Sequence, residues 1–148
     1  MDLRLLRRLL TSARGPKRLV MAAALAGAAC GGDRYIVIGS ARAPSTCGFV
    51  ELQGKSAQAT KLRVHLEQLH PVDSLDPAMH AYVVWFENGK DAAIRAGALK
   101  YRADDRVGEL TATSPYRKFI VKVTAEANDT PGAPGGFVVA SEEISTLD

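Results

Sequence analysis

The sequence predicts an all-β domain behind an export signal: an immunoglobulin-like antiparallel β-sandwich of about seven strands. Three observations carry that expectation. Apolar and polar residues alternate in short runs, as with Leu62, Val64 and Leu66 against Arg63, His65 and Glu67. A period of two sends alternate side chains to opposite faces of a strand. Turn-forming pieces separate the runs, among them Asn88-Gly89 and "PGAPGG" at 131–136. No apolar pattern at helical spacing follows residue 30. Short strands at regular intervals, with turn signals between them, describe a sandwich or barrel.

Residues 1–29 read as the signal. Arg4, Arg7, Arg8, Arg14, Lys17 and Arg18 precede an eleven-residue apolar run, Leu19 to Ala29, with Asp2 the one acid. A basic segment, an apolar stretch of about 7–15 residues and a small-residue exit make a secretory signal peptide. The run is shorter than the ~20 residues a spanning helix needs. Its exit, "LAGAAC", resembles a bacterial lipobox, in which diacylglycerol is attached to the cysteine before cleavage. Lipidation is therefore expected at Cys30. Gly27 stands where that motif usually has a branched apolar residue, so cleavage at an Ala-x-Ala-like site among Ala24 to Ala29 is the alternative. The expected location is the bacterial cell envelope, anchored by lipid in the periplasm or at the outer membrane. The alternative is a secreted or soluble periplasmic chain.

Signal removal changes the charge. The chain holds 19 basic and 16 acidic residues, but from Cys30 onward there are 13 basic and 15 acidic, a net charge of −2. The pI near 9.0 is largely a property of the signal. No basic stripe remains, so no nucleic-acid partner is expected. With Cys30 acylated, Cys47 is a lone thiol; with earlier cleavage, a Cys30–Cys47 disulfide is the other option. Two cysteines and three histidines form no zinc pattern.

Residues 30–47 read as tether and linker, with an optional first strand at Tyr35–Ile38, and 48–148 as the sandwich domain. "FVELQ" puts Val50 and Leu52 on one face, and "KLRVHLEQL" alternates Leu62, Val64 and Leu66 against polar partners. Pro71 to Met79 is a longer excursion with room for a turn of helix. "AYVVWFENG" is the most apolar segment, so both its faces are expected to be buried in a central strand. Tyr82 and Trp85 belong to it, with Trp85 as a core anchor whose N–H needs a partner. "AAIRAGALKYRADD" is read as one strand, with Gly97 as a bulge or close-packing point. "GELTAT" pairs Leu110 with Ala112. "KFIVKVTAE" sends Phe119, Val121 and Val123 inward, and "FVVASEEI" is the last strand.

The order "LRVHLEQLHPV", "YVVWFENG", "RAGAL", "GELTATSP", "FIVKVTAE", "PGAPGGFVVASEEI" resembles the extracytoplasmic β-sandwich of the anti-sigma-K factor (RskA) C-terminal family. Tyr82 and Trp85, Ala96-Gly97 and Val123 to Glu126 carry the resemblance, which covers roughly residues 48–145. It implies a β-sandwich outside the cytoplasm. Such factors place a sigma-binding domain and a transmembrane helix before the sandwich, whereas a signal-like segment precedes Cys30 here. The expectation is a stand-alone envelope version, to which sigma-factor sequestration does not carry over.

No nucleophile elbow, phosphate-binding loop, dinucleotide fingerprint or H-E-x-x-H motif is present. Catalytic residues, cofactors and metal ligands are accordingly not assigned. The residues singled out for interaction lie in two loops: His70, Asp73, Asp76 and His80 in or beside the Pro71–Met79 excursion, and Asp104, Asp105 and Arg106 in the turn before "GELTAT". Asp104, Asp105 and Glu109 sit near one turn, but Arg102 and Arg106 beside them favour a self-neutralised surface over a cation site. The expected function is non-enzymatic binding of an envelope protein or component, with the membrane as second partner through the lipid. A metal-dependent or hydrolytic enzyme built on His70, His80 or Asp104–Asp105, and a structural spacer, are the alternatives.

Overall fold

The structure, a computed structural model, describes residues 33–146. The predicted signal at 1–29, Cys30 and the residues of the tether before Asp33 lie outside the described residues, so neither export nor lipidation is placed by it. No helix among the described residues is long and apolar enough to cross a membrane.

Among the described residues, nine strands form two antiparallel sheets. In chain order they are β1 (Arg34–Ile38), β2 (Cys47–Lys55), β3 (Thr60–Glu67), β4 (Ala81–Glu87), β5 (Ile94–Ala98), β6 (Lys100–Arg102), β7 (Val107–Ser114), β8 (Lys118–Glu126) and β9 (Phe137–Ser145). One sheet runs β1-β2-β3-β7-β6 and the other β5-β4-β8-β9. The single helical turn among the described residues, α1 (Val72–Leu75), lies in the excursion read as having room for one. The expected sandwich is thus present, with more strands than anticipated. The optional first strand in the tether is present as β1, the edge strand paired with β2 from Arg34↔Glu51 to Ile38↔Cys47, and one further strand comes from a segment read differently. The single strand read over residues 92–105 is divided at Leu99. Its first half, β5, pairs with β4, and its second half, β6, pairs with β7 in the other sheet. A strand that changes sheets makes a corner of the sandwich.

The alternation read from sequence is what fills the interior. Val50 and Leu52 of β2, Leu62, Val64 and Leu66 of β3, and Phe119, Val121 and Val123 of β8 are all buried in one cluster with Tyr82, Val84 and Phe86 of β4. Each such side chain contributes about 1.5–3 kcal/mol on burial. Phe86 and Phe119 meet edge-on across β4 and β8, ring centroids 5.3 Å apart, in the geometry aromatic quadrupoles favour. Gly97 has φ +148, and its missing Cβ would lie 3.3 Å from Leu110 Cδ1. It sits opposite the register shift between Val84 and Trp85, which is the bulge role expected of it.

Trp85 is fully buried at 0% exposure but stands outside the inter-sheet cluster. Strand alternation places Val84 and Phe86 inward and Val83 and Trp85 on the outer face of the four-stranded sheet. There the indole N–H donates to Thr124 Oγ1 (2.8 Å), and Thr124 donates onward to Glu126 Oε1 (2.6 Å). Glu126, only 3% exposed, accepts the backbone N–H of Gly136 at 2.9 Å and that of Gly135 at 3.2 Å. The Pro/Gly-rich loop between β8 and β9 is thereby tied back to this face. A Cβ at Gly136 would fall 1.6 Å from the Ala125 carbonyl oxygen, so the close approach requires glycine. Both faces of β4 are buried, as its apolar sequence indicated, and Trp85 is the expected buried anchor, placed on the second face.

The pairings also fix which loops share an end. Loops 39–46, 68–80, 103–106 and 127–136 gather at one end, joined by Tyr82 Oη to His70 O (2.6 Å) and Ser40 Oγ to Val138 O (2.7 Å). The chain enters the sandwich at Asp33, at the opposite end, where Tyr35 Oη donates to Ser145 O (2.5 Å) and Thr60 Oγ1 to Tyr116 O (3.0 Å).

Candidate functional site at the loop end

The loop end is built on β3, which delivers Leu69 and His70 just past its last paired residue. Gln68 turns the chain with φ 55, and Arg106 does the same across from it with φ 57. Left-handed backbone at a non-glycine residue is uncommon and marks a position held by its surroundings. The holding contacts are explicit. Leu69 N–H donates to Arg106 O (3.0 Å), Tyr101 Oη donates to Leu69 O (2.9 Å), and Tyr82 Oη donates to His70 O (2.6 Å). Tyr82 and Tyr101 pack edge to face, 5.9 Å between centroids. Burial pushes the Tyr82 hydroxyl well above its ordinary range, reinforced by Tyr101 and Asp73. Burial also raises Tyr101; Asp73 and Asp105 add to this and Arg106 opposes it. Both phenols therefore act as neutral donors that pin the backbone.

His70 is the centre of this end. Its Nδ1 faces Arg106 Nη2 at 3.1 Å and its Nε2 faces Ser45 Oγ at 3.2 Å. A guanidinium only donates, so Nδ1 is the acceptor and the proton sits on Nε2. His70 then donates to Ser45, which leaves that imidazole unable to take a proton from the hydroxyl. A general base needs the opposite arrangement. Three segments distant in sequence are thus brought to one polar cluster.

Of the residues singled out from sequence, the structure brings His70 and Arg106 into contact, with Asp73 and Asp105 both close enough to act on Tyr101. Asp105 accepts from Arg102 Nε at 3.1 Å, the self-neutralised turn that was expected. Asp104 is exposed in the same turn. Asp76 is turned to its own loop, accepting Ala78 N–H at 2.9 Å. His80 is exposed, its backbone N–H spent on Glu126 O (2.8 Å). Among the described residues no three His, Cys, Asp or Glu side chains gather as a metal site. Ser45, Tyr82 and Tyr101 were not anticipated here, because their contacts span 25, 12 and 32 residues of sequence and no local pattern encodes them.

The outer face of the five-stranded sheet carries a second polar array. His65 Nδ1 meets Glu109 Oε1 at 2.7 Å and its Nε2 meets Glu67 Oε1 at 3.0 Å. Arg63 and Arg102 also pair with Glu109. Hydrogen bonds from His65, Arg63 and Arg102 hold the Glu109 carboxyl down at about 2. Phe49 stacks on His65 (4.9 Å), and Arg34 lies over Phe49 (4.1 Å). An open groove of about 280 Å³ lies at the other end of the sandwich, lined in part by Glu87 and Glu143. Each of these acids is paired, with Lys122 (2.6 Å) and Lys118 (3.2 Å) respectively; of the residues singled out from sequence, the core residue Phe119 lines the groove and none of those singled out for interaction does.

Comparison with protein-family models, curated proteins and solved structures finds no match to this chain.

Proposed function

We propose that this chain is a non-enzymatic, lipid-anchored protein of the bacterial cell envelope, whose sandwich offers its loop end to another protein or an envelope component. One observation carries the reading. The chain enters at Asp33, three residues after Cys30, at the end opposite the four gathered loops. A rigid sandwich with an attachment at one end and loops at the other is a common arrangement for recognition. The His70–Arg106–Ser45 cluster supplies oriented polar groups at that end. The signal-like segment and the resemblance to an extracytoplasmic anti-sigma-factor domain support the location.

Two measurements test this. The mass of the mature N-terminus is expected to correspond to acylated Cys30; a cut elsewhere removes the anchor from the proposal. A photo-crosslinking residue at Asp73 or Asp104, in cells, is expected to trap one defined adduct. The same residue at Ala57, in the loop at the opposite end, is expected to trap none. Equal or absent adducts at both ends count against recognition by the loops.

A further inference from the structure

The most exposed large apolar side chains among the described residues are Ile36, at 64% exposure, and Ile38, at 71%. Both point outward from β1, and each has a cross-strand partner on β2: Ile36 opposite Phe49, Ile38 opposite Cys47. Cross-strand neighbours on one face form a continuous surface, so this edge of the five-stranded sheet presents an apolar strip. Isolated exposed apolar residues need no explanation, but a contiguous strip does.

We propose that this strip rests on an anionic lipid bilayer, with the outer face of the five-stranded sheet turned toward the membrane. The inference rests on the lipid-anchor reading and specifies how the anchored domain lies. Two features of the molecule identify the bilayer as the occupant. The first is reach. Three residue steps separate Cys30 from Asp33, which bounds the tether at about 11 Å. Ile36 lies three strand residues further on, about 10 Å along β1. A domain held that closely cannot keep β1 far from the surface that holds the lipid.

The second is charge. Strand alternation puts Arg34, Lys61, Arg63, Lys100 and Arg102 on this outer face, against Glu51, Glu67 and Glu109. That is five basic and three acidic side chains. The other described residues carry eight basic and eleven acidic. The positive face of an otherwise acidic domain is thus the one that bears the apolar strip. Apolar side chains flanked by cations suit the boundary between anionic headgroups and acyl chains. Arg34 fits both roles, with its guanidinium over Phe49 at 4.1 Å and paired to Glu51 at 2.8 Å. In this pose the strands run along the membrane plane, and the loop end faces sideways.

The test uses the acylated mature chain in vesicles of phosphatidylethanolamine and phosphatidylglycerol. A nitroxide is placed in turn at Ile36→Cys, Ile38→Cys or Ser141→Cys, each in a Cys47→Ser background. Ser141 is exposed on the outer face of the other sheet. The expected result is co-flotation with vesicles, together with loss of relaxation by an aqueous nickel chelate and gain of relaxation by oxygen at 36 and 38. Position 141 is expected to stay accessible to nickel. Flotation with all three positions equally wet overturns the pose and leaves the anchor standing. Spin–spin broadening between labels at 36 shows a second copy on the strip and also overturns the pose. Failure to float removes the anchor, and the pose with it.

Discussion

Trp85 and Glu126 are joined through one hydroxyl: Thr124 accepts the indole N–H at 2.8 Å and donates to the carboxylate at 2.6 Å. All three side chains are buried on the outer face of the four-stranded sheet. Thr124→Val keeps the shape and removes both bonds, leaving a buried indole N–H without its partner. The expected loss of stability is about 2 kcal/mol, read as a lower urea midpoint at unchanged slope.

Glu126 itself fastens the loop between β8 and β9 by accepting the Gly135 and Gly136 N–H groups. Glu126→Ala should make that loop open more easily. Amide exchange at Gly135 and Gly136 is expected to rise roughly tenfold, while the amides of β3 keep their protection. Equal change in both places would mean that Glu126 supports the whole fold rather than the loop.

Thr46 is 1% exposed, and its Oγ1 has no hydrogen-bond partner among the described residues. A buried hydroxyl without a partner costs free energy, and valine has nearly its shape. Thr46→Val is therefore expected to stabilise the domain by about 1 kcal/mol. A lower thermal midpoint for the variant would show that the hydroxyl has a bound water as partner.

The Glu109 carboxyl is held down at about 2 by His65, Arg63 and Arg102, from an ordinary 4.5. A carboxyl lowered in the folded state binds fewer protons there than in the unfolded chain. Its contribution is present above about pH 4.5 and fades as pH falls toward 2. Glu109→Gln is expected to lower the thermal midpoint at pH 7 and to flatten its fall between pH 4.5 and 2. Parallel curves for the two proteins would remove Glu109 from the acid response. The pair with Arg63 is partly exposed, so the effect is modest and shrinks with added salt.

The legible parts of the fold were those where one face of a strand meets water. Leu62, Val64 and Leu66 alternate with polar neighbours, and their inward placement followed directly. Where small residues dilute the alternation, as in Ala96-Gly97-Ala98, the change of sheet at Leu99 left no local trace. Trp85 was expected as a buried anchor in a central strand and is one, but an apolar run does not say which of the two faces a side chain takes. On the outer face the Trp85 indole is bonded through Thr124 to Glu126, the residue that holds the loop between β8 and β9. The site divides the same way. His70 and Arg106 each stood out as loop residues, but their contact spans 36 residues. It is set by β3 pairing with β7 and by two tyrosines whose hydroxyl partners are backbone carbonyls.

The chain enters at one end of the strands and gathers its loops at the other, and this governs how the molecule bears load. A pull between Asp33 and the loops runs along the strand axes. The ladder joining β1 to β2, from Arg34↔Glu51 to Ile38↔Cys47, is then loaded in shear, with its hydrogen bonds sharing the force. A pull across the sheet would instead unzip them one at a time. The edge strand β1 is thus oriented to meet a pull along the strand axes in shear.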